Sequence, residues 1–589
     1  MIPSFLSPDI SPALITIIAG IAIAFLPQLF RNVIGLWAVI LGLLHLLSYQ
    51  VPAVGEGALF ATSSFMSLDM VGVRIDKLSF IFAVIFHIAA FINVIYGWQH
   101  ATRLEASMGL IYAGAAIGGA LAGDLLTLFV YWELAALSSV FIVWAGGGHA
   151  AFKAGMRYLV IQVLSGLFLL AGIAVHLGQG NDLAFNAFTW RFEDGALNPV
   201  AILILISFGI KAAFPIMHTW LQDSYPKASA VGAVMLSAFT TKLAVYTLAR
   251  GFAGVDILIW IGATMTAFPV FFALIENDLR KVLAYSLNNQ VGFMVCAIGI
   301  GTPLALNGAA AHAFVHILYK ALLFMSMGAV LVRVGTTKAT ELGGLHKSMP
   351  WTTIFCIIGA MSISAFPLFS GFVAKSMITL AASEAHLLVA YFILLFASAG
   401  VLEHSGIKIP YFAFFAHDQF APSVTGKARP KDAPAPMMIA MAIAAFLCVF
   451  IGIQPQYLFA LLPFEAKYTA YTAAHVVTQM QLLLFAILAF ALLVKYRLYP
   501  AEIRSWNLDV DWFWRVPGRK LLMWGIGVVA SIWHTFWGAT VSVTQAIIRG
   551  MYATHGPEGA LARSWPVGFM ALFTAIVLAV MLIVTFLTS

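Results

Sequence analysis

Four lysines fall inside stretches that otherwise read as membrane-spanning: Lys211 in SFGIKAAFPIMHTW, Lys242 in SAFTTKLAVYTLA, Lys320 in HAFVHILYKALLFM and Lys375 in FSGFVAKSMITLA. An ionisable side chain in a bilayer costs roughly 2.5 to 3.5 kcal/mol on insertion scales, so its default reading is an ion or substrate pathway. Glu133 adds a carboxylate within the apolar run GDLLTLFVYWELAALSSVFIVW, where it needs a cation or a proton. A carboxylate partner favours the ammonium form of a lysine and burial favours the amine. Small changes in separation or hydration can therefore load and unload a proton.

His312, His316 and Lys320 stand at i, i+4 and i+8, along one stripe of a helix. Neighbours on that stripe are about 6 Å apart in rise, a gap that side chains and water can bridge. Histidine accepts on one ring nitrogen while donating from the other, so the stripe suits a proton relay. A lone membrane histidine is more often a packing residue, and Lys242 could simply neutralise Glu133. It is the combination of two histidines, four lysines and Glu133 that favours transport. Pro215 follows Lys211 by four residues, and Pro367 and Gly371 precede Lys375. Such breakers are tolerated in a membrane helix where the freed backbone lines a cavity, and broken helices mark transport sites near the midplane.

The elements that must position these groups are helices. Hydrophobic residues make up 62% of the 589 and charged residues 9%, and mean hydropathy is +0.96, values that exclude a soluble domain. Apolar runs predict helices near 12–30, 33–51, 73–98, 105–122, 124–145, 155–178, 197–220, 229–252, 254–276, 281–301, 306–333, 352–381, 386–402, 436–455, 479–496, 519–545 and 567–588. The first run lacks the basic n-region and cleavage site of a signal peptide and reads as a retained span. With the N-terminus outside, the inside loops hold 20 of the 31 basic residues and the outside loops 7. That asymmetry puts the C-terminus in the cytoplasm and assigns the net charge of +7 to topology rather than to nucleic acid. Cys296, Cys356 and Cys448 are isolated and read as core packing. No cofactor or metal motif is visible, and the partners expected are the lipid bilayer and protons.

The blocks FVYWEL, FGIKAAFPIMHTWLQDSYPKASA, ENDLRKVLAYSLNNQVGF, HAFVHILYKALLFMSMG and FPLFSGFVAK resemble, in order, the signature segments of the antiporter-like subunits of respiratory complex I, Mrp-type Na⁺/H⁺ antiporters and membrane-bound hydrogenases. The resemblance covers residues 70–455 and is strongest to the Mrp D subunit. It implies an all-α fold with a fourteen-helix core, two inverted five-helix repeats, broken helices and two or three further C-terminal spans. The implied parts are N-terminal helices at 1–104, repeats at 105–252 and 253–402, each proton-translocating, and an extension at 403–589. Glu133, Lys211 and Lys242 match the family's charged residues of the first repeat. His312, His316 and Lys320 match its central axis, and Lys375 the terminal lysine of a broken helix. Gln290 stands where many relatives have histidine. The complex I L-type subunit has a long lateral helix that the extension does not suggest. Its Trp-rich connector, with Trp506, Trp512, Trp514 and Trp524 in or near it, suits docking on a neighbour.

The expected function is therefore a subunit of a bacterial inner-membrane Na⁺/H⁺ antiporter, a transporter part with other membrane subunits as partners. The alternatives are a proton-pumping subunit of a complex I-like NADH:quinone oxidoreductase or hydrogenase, and a membrane module that energises inorganic-carbon uptake.

Overall fold

The computed structural model describes residues 6–65, 68–422, 428–499, 502–503, 507–563 and 565–588, so Trp506 lies outside the described residues. Two units are distinguished, Met1–Asn507 and Leu508–Ser589. In the first, helices start where the sequence supplies an acceptor for their orphan N–H groups. Asp76 caps α3 (Lys77–Tyr96), and Thr102 with Glu105 forms a capping box on α4 (Arg103–Leu121). Asp124 caps α5 (Leu125–Trp144). Before them lie α1 (Pro12–Ile23) and α2 (Gln28–Leu47), separated at Pro27, so the first two expected spans divide earlier than anticipated.

Between α2 and α3 the chain forms an antiparallel hairpin, β1 (Ala58–Phe65) with β2 (Leu68–Ile75), pairing Ala58 with Ile75. The expected helix at 73–98 thus begins only at Lys77. Alternating residues in DMVGVRI favour a strand there, and Asp76 starts the helix.

The core continues with α6 (Gly148–Gly178), the broken pair α7 (Pro199–Ala212) and α8 (Thr219–Ser224), and the kinked pair α9 (Ala230–Ala238) and α10 (Thr240–Gly251). Then come α11 (Ile257–Ile275), α12 (Leu279–Ile300), α13 (Pro303–Val334) and a second broken pair, α14 (Pro350–Ile363) and α15 (Ser370–Glu384). The next helix, α16 (Leu388–Val401), does not stop at 402 but runs on through π-helical turns to Phe415. After it come α17 (Ala435–Ile453) and α18 (Ala473–Lys495). Between α11 and α12 the backbones nearly touch: a Cβ on Gly262 would overlap the backbone of Cys296, and one on Gly299 that of Ile259.

Two local geometries occur twice. Leu125 N–H donates to Leu183 O and Phe185 N–H to Gly123 O; 154 residues on, Leu279 N–H donates to Thr337 O and Ala339 N–H to Asn277 O. The breaks also match. Ala213-Phe-Pro-Ile216 and Ala365-Phe-Pro-Leu368 both place their first and last residues at positive φ, at 63° and 72° and at 60° and 73°. These four account for most of the seven non-glycine residues with positive φ among the described residues. Such strain is seldom kept without a use. α12 is the fifth span after α5, so the second copy starts from the opposite face, the arrangement of an inverted repeat.

Among the described residues, fourteen helices are long and apolar enough to cross a membrane, and three shorter apolar ones (Pro12–Ile23, Pro199–Ala212, Pro350–Ile363) bring the set to the number the sequence suggests. The chain is a polytopic membrane protein. The second unit contains α19 (Arg519–His555), continuous with helical turns from Asp511, and α20 (Val567–Thr588), both exposed along their length. A helical stretch of 45 residues exceeds the 27 of the expected 519–545 span. Since about 20 residues cross a bilayer, the lack of a long C-terminal helix no longer separates this chain from the L-type subunit.

Candidate functional site

Glu133 projects from α5 toward α6, where the nearest atoms to a Cβ on Gly166 would all be those of its carboxyl group. Only glycine leaves room for it. Its Oε1 is buried without a hydrogen-bond partner, and its charge acts on Lys211. Lys211 lies in the last turn of α7, just before the break that contains Pro215. Its ammonium donates to Trp132 O at 2.5 Å and lies over the Trp132 ring, 4.1 Å from the centroid. Glu133 and Lys211 are thus neighbours without direct contact, since no ion pair links them among the described residues. Lys242 begins α10 and donates to Ser237 O at 2.6 Å. It faces His316 and Lys320 rather than Glu133, its charge acting on both. Here the two repeats meet.

On α13 the expected stripe is fully buried. His312 Nε2 lies 3.2 Å from Gln290 Oε1 and 3.2 Å from the Tyr319 hydroxyl, which itself donates to Gln290 Oε1 at 3.1 Å. Gln290 therefore takes part in the polar cluster in the place of a titrating histidine, and donates on to Asn289 at 2.5 Å. The rings of His312 and His316 stack 6.1 Å apart at 20°. Both nitrogens of His316 and the Lys320 ammonium are buried without a hydrogen-bond partner. Lys375, on α15, donates to Ile363 O at 3.1 Å and lies 5.2 Å from the Phe293 ring, which stacks on His312. Pro367 sits in the second break. Gly371 follows it in the first turn of α15, where a Cβ would strike Ser362 O.

The geometry can pass a proton but not hold many charges at once. Among the described residues none of the four lysines has a carboxylate within ion-pair distance. No group of His, Cys, Asp or Glu suited to a metal ion occurs among the described residues.

Three polar features escape the sequence reading. Arg250, at the end of the expected helix 229–252, is buried in the last turn of α10 and pairs with Asp76 at 2.8 Å. Burial alone would raise the Asp76 carboxyl, but the charge and hydrogen bond of Arg250, the Ser79 N–H and Arg74 hold it below the ordinary carboxylate range. Arg280, also buried, donates to the carbonyls of Tyr225, Pro226, Ala228 and Ser229, tying α12 to the segment after the first break. Lys408, expected in a loop, is fully buried in the helix that continues α16, with His404 one turn before it. The signal is HSGIK, whose histidine and lysine share the i, i+4 spacing of the stripe on α13.

The family described as NADH:quinone oxidoreductase/Mrp antiporter, TM, matches residues 122–401. The D subunit of the Na(+)/H(+) antiporter of Alkalihalophilus pseudofirmus is 34% identical over 284 residues, 46% of this chain and 57% of that protein. Hydrogenase-4 component B of Escherichia coli is 26% identical over 426 residues, 65% of this chain and 62% of that protein. The chain thus spans about three fifths of the length of these relatives. A chain in the Mrp complex from Dietzia sp. DQ12-45-1b superposes with a TM-score of 0.76 at 22% identity, over 92% of this chain and 63% of that one, a likeness of fold. Residues 122–401, which carry both broken helices and every charged residue of the expected axis, match the NADH:quinone oxidoreductase/Mrp antiporter membrane family, and the chain is similar to its antiporter-like subunits.

Proposed function

We propose that this chain is the ion-translocating subunit of a multisubunit monovalent cation/H⁺ antiporter of the bacterial inner membrane, exchanging protons for Na⁺, with its N-terminus outside and its C-terminus cytoplasmic. The observation that carries the reading is the row of buried titratable groups through both repeated halves: Glu133, Lys211 and Lys242 in one, and His316, Lys320, His312 and Lys375 in the other. Residues 105–252 and 253–402 would each move protons. Lys242 would hand charge to the α13 stripe where the halves meet, and the strained breaks at Pro215 and Pro367 would let each half rearrange around its lysine. The identity with the D subunit of an Na(+)/H(+) antiporter supports the choice of cation. Other membrane subunits would complete the entry or exit of the route.

A second reading, a proton-pumping subunit driven by a redox partner, is favoured by the longer alignment with hydrogenase-4 component B. The subunits that co-purify with the native complex separate the two, since companion antiporter subunits support the first and quinone-reductase or hydrogenase subunits the second. For the route itself, Glu133→Ala and Lys211→Ala should each abolish proton-coupled transport in vesicles read with a ΔpH dye, at unchanged protein level. Transport near the parent rate in either variant would remove the pair from the mechanism.

A further inference from the structure

The last carbonyls of α11 have no intrahelical partner, and Lys408 reaches them from the neighbouring helix. Its ammonium donates to Leu274 O at 2.6 Å, Glu276 O at 2.8 Å and Ala273 O at 3.3 Å, and pairs with Glu502 at 2.9 Å. The Lys408 side chain is 0% exposed and that of Glu502 8%. Glu276 beside them pairs with Lys281 at 2.7 Å, and Lys281 is 29% exposed, so the cluster ends at water. In the other direction lies His404, wholly buried, with Nδ1 2.8 Å from the Ser405 hydroxyl and Nε2 without a partner. The charges of Lys320, Lys375 and Lys408 all act on it.

We propose that His404 and the Lys408–Glu502 pair are the terminal proton-carrying groups of the second half, joining the Lys320–Lys375 region to the aqueous end of α11. The inference rests on the proton-route reading above. In the sense toward the aqueous end of α11, His404 Nε2 accepts a proton from the Lys320–Lys375 region through water and passes it on by the same means. Lys408 gives its own proton to Glu502, leaving a neutral amine and a neutral carboxylic acid, and is reloaded from His404. Glu502 then releases the proton to water and becomes the anion again. Every step moves one proton and leaves its donor one charge lower. Burial holds the Glu502 carboxyl above the ordinary carboxylate range, against the pull of Lys408 and with help from Glu276. The competing role is structural, with Lys408 as no more than a cap for α11.

Arginine separates these roles, because it keeps the charge, the carbonyl bonds and the ion pair but does not release its proton. The test uses the complete assembled complex in inverted vesicles, with transport read by a ΔpH dye and assembly by co-purification. Lys408→Arg and Glu502→Gln should each lower proton transport at least tenfold without loss of assembly, and Glu502→Asp should restore most of it. Lys375→Ala is measured alongside. If Lys375→Ala blocks transport while Lys408→Arg and Glu502→Gln run within twofold of the parent, the terminal assignment is overturned and the route reading stands. If Lys375→Ala also runs normally, both fall. Should Lys408→Ala fail to assemble, the arginine and glutamine variants still decide the matter.

Discussion

Asp76→Asn isolates one charge without disturbing the helix it caps. The Asp76 side chain is 0% exposed and accepts from Ser79 N–H at 2.8 Å, a bond that asparagine's oxygen retains, so the N-cap survives. What is lost is the anion between Arg250 at 2.8 Å and Arg74 at 3.7 Å. Arg250 is only 4% exposed, and its hydrogen bond to the Tyr246 hydroxyl cannot compensate its charge. Removing one partner of a buried pair costs about 3 to 5 kcal/mol. Arg250→Met should cost about as much by leaving the anion, but Arg74 offsets part of it. The double variant should fall short of the sum by about 2 kcal/mol or more, the coupling expected of residues in contact. The assay is reversible unfolding in mixed micelles at pH 7. Because the folded carboxyl titrates below its unfolded value, this stability is present above the unfolded value of about 3.9 and is lost as pH falls through the folded one. Below that range parent and Asp76→Asn should converge. Lys242 lies eight residues from Arg250 on the same helix, about 12 Å along it, so the clamp also fixes the axial position of that lysine. Single variants within 1 kcal/mol of the parent, or a double variant equal to the sum, would refute the clamp.

Gly166→Ala should leave a folded protein whose proton transport falls at least tenfold, because the new methyl displaces the Glu133 carboxyl, whereas Gly178→Ala on the same helix meets no atom within 4 Å and should transport normally. Lys320→Ala and Lys375→Ala should block turnover, with Lys→Arg rescuing little and His312→Ala milder, since Gln290 and Tyr319 remain to hold water; full turnover by Lys375→Ala in ΔpH assays would leave that lysine a structural group. The purified chain alone should insert in proteoliposomes yet show little cation/H⁺ exchange until its partner subunits are supplied, and robust exchange by the single chain would count against a multisubunit assembly.

The membrane elements and the charged residues buried within them are legible in the sequence because each rests on a strong local signal: an apolar run of about 20 residues, or a charge within one. Lys408 and Arg250 escape it for the opposite reason. Each sits near the end of its apolar run, where a cation normally faces water, and only the tertiary partners, Glu502 and Asp76, make burial tolerable. Those partners are distant in sequence, and no periodicity announces them. The continuation of α16 to Phe415 is hidden similarly, since Glu403, His404, Ser405 and Gly406 interrupt the apolar pattern that π-helical turns carry through. Gln290 does not titrate and so interrupts a relay on paper, yet side-chain geometry makes it the common acceptor for His312 and Tyr319.

The two breaks show why lysines at unlike positions can serve alike. Aligned by their Ala-Phe-Pro sequences, Ala213 matches Ala365, so Lys211 matches Ile363, and Lys375 matches Asp223 rather than a lysine. Yet the Lys375 ammonium lies 3.1 Å from the carbonyl of Ile363, the residue in Lys211's place. One half grows its cation from the last turn of the first half-helix, and the other reaches back to that turn from the second. In the second half the reason is electrostatic: Ile363 ends α14, the break leaves its carbonyl without a helical partner, and the helix dipole favours positive charge there, whereas in the first half the ammonium bonds Trp132 O of α5. A second break that turns or unwinds moves that carbonyl and so changes the hold on the Lys375 ammonium. In the first half Glu133 adds to the hold on Lys211, whereas in the second no carboxylate lies within ion-pair distance of Lys375 among the described residues. A movement of the second break should therefore loosen a proton from Lys375 more readily than a movement of the first loosens one from Lys211, which Trp132 O and Glu133 still hold.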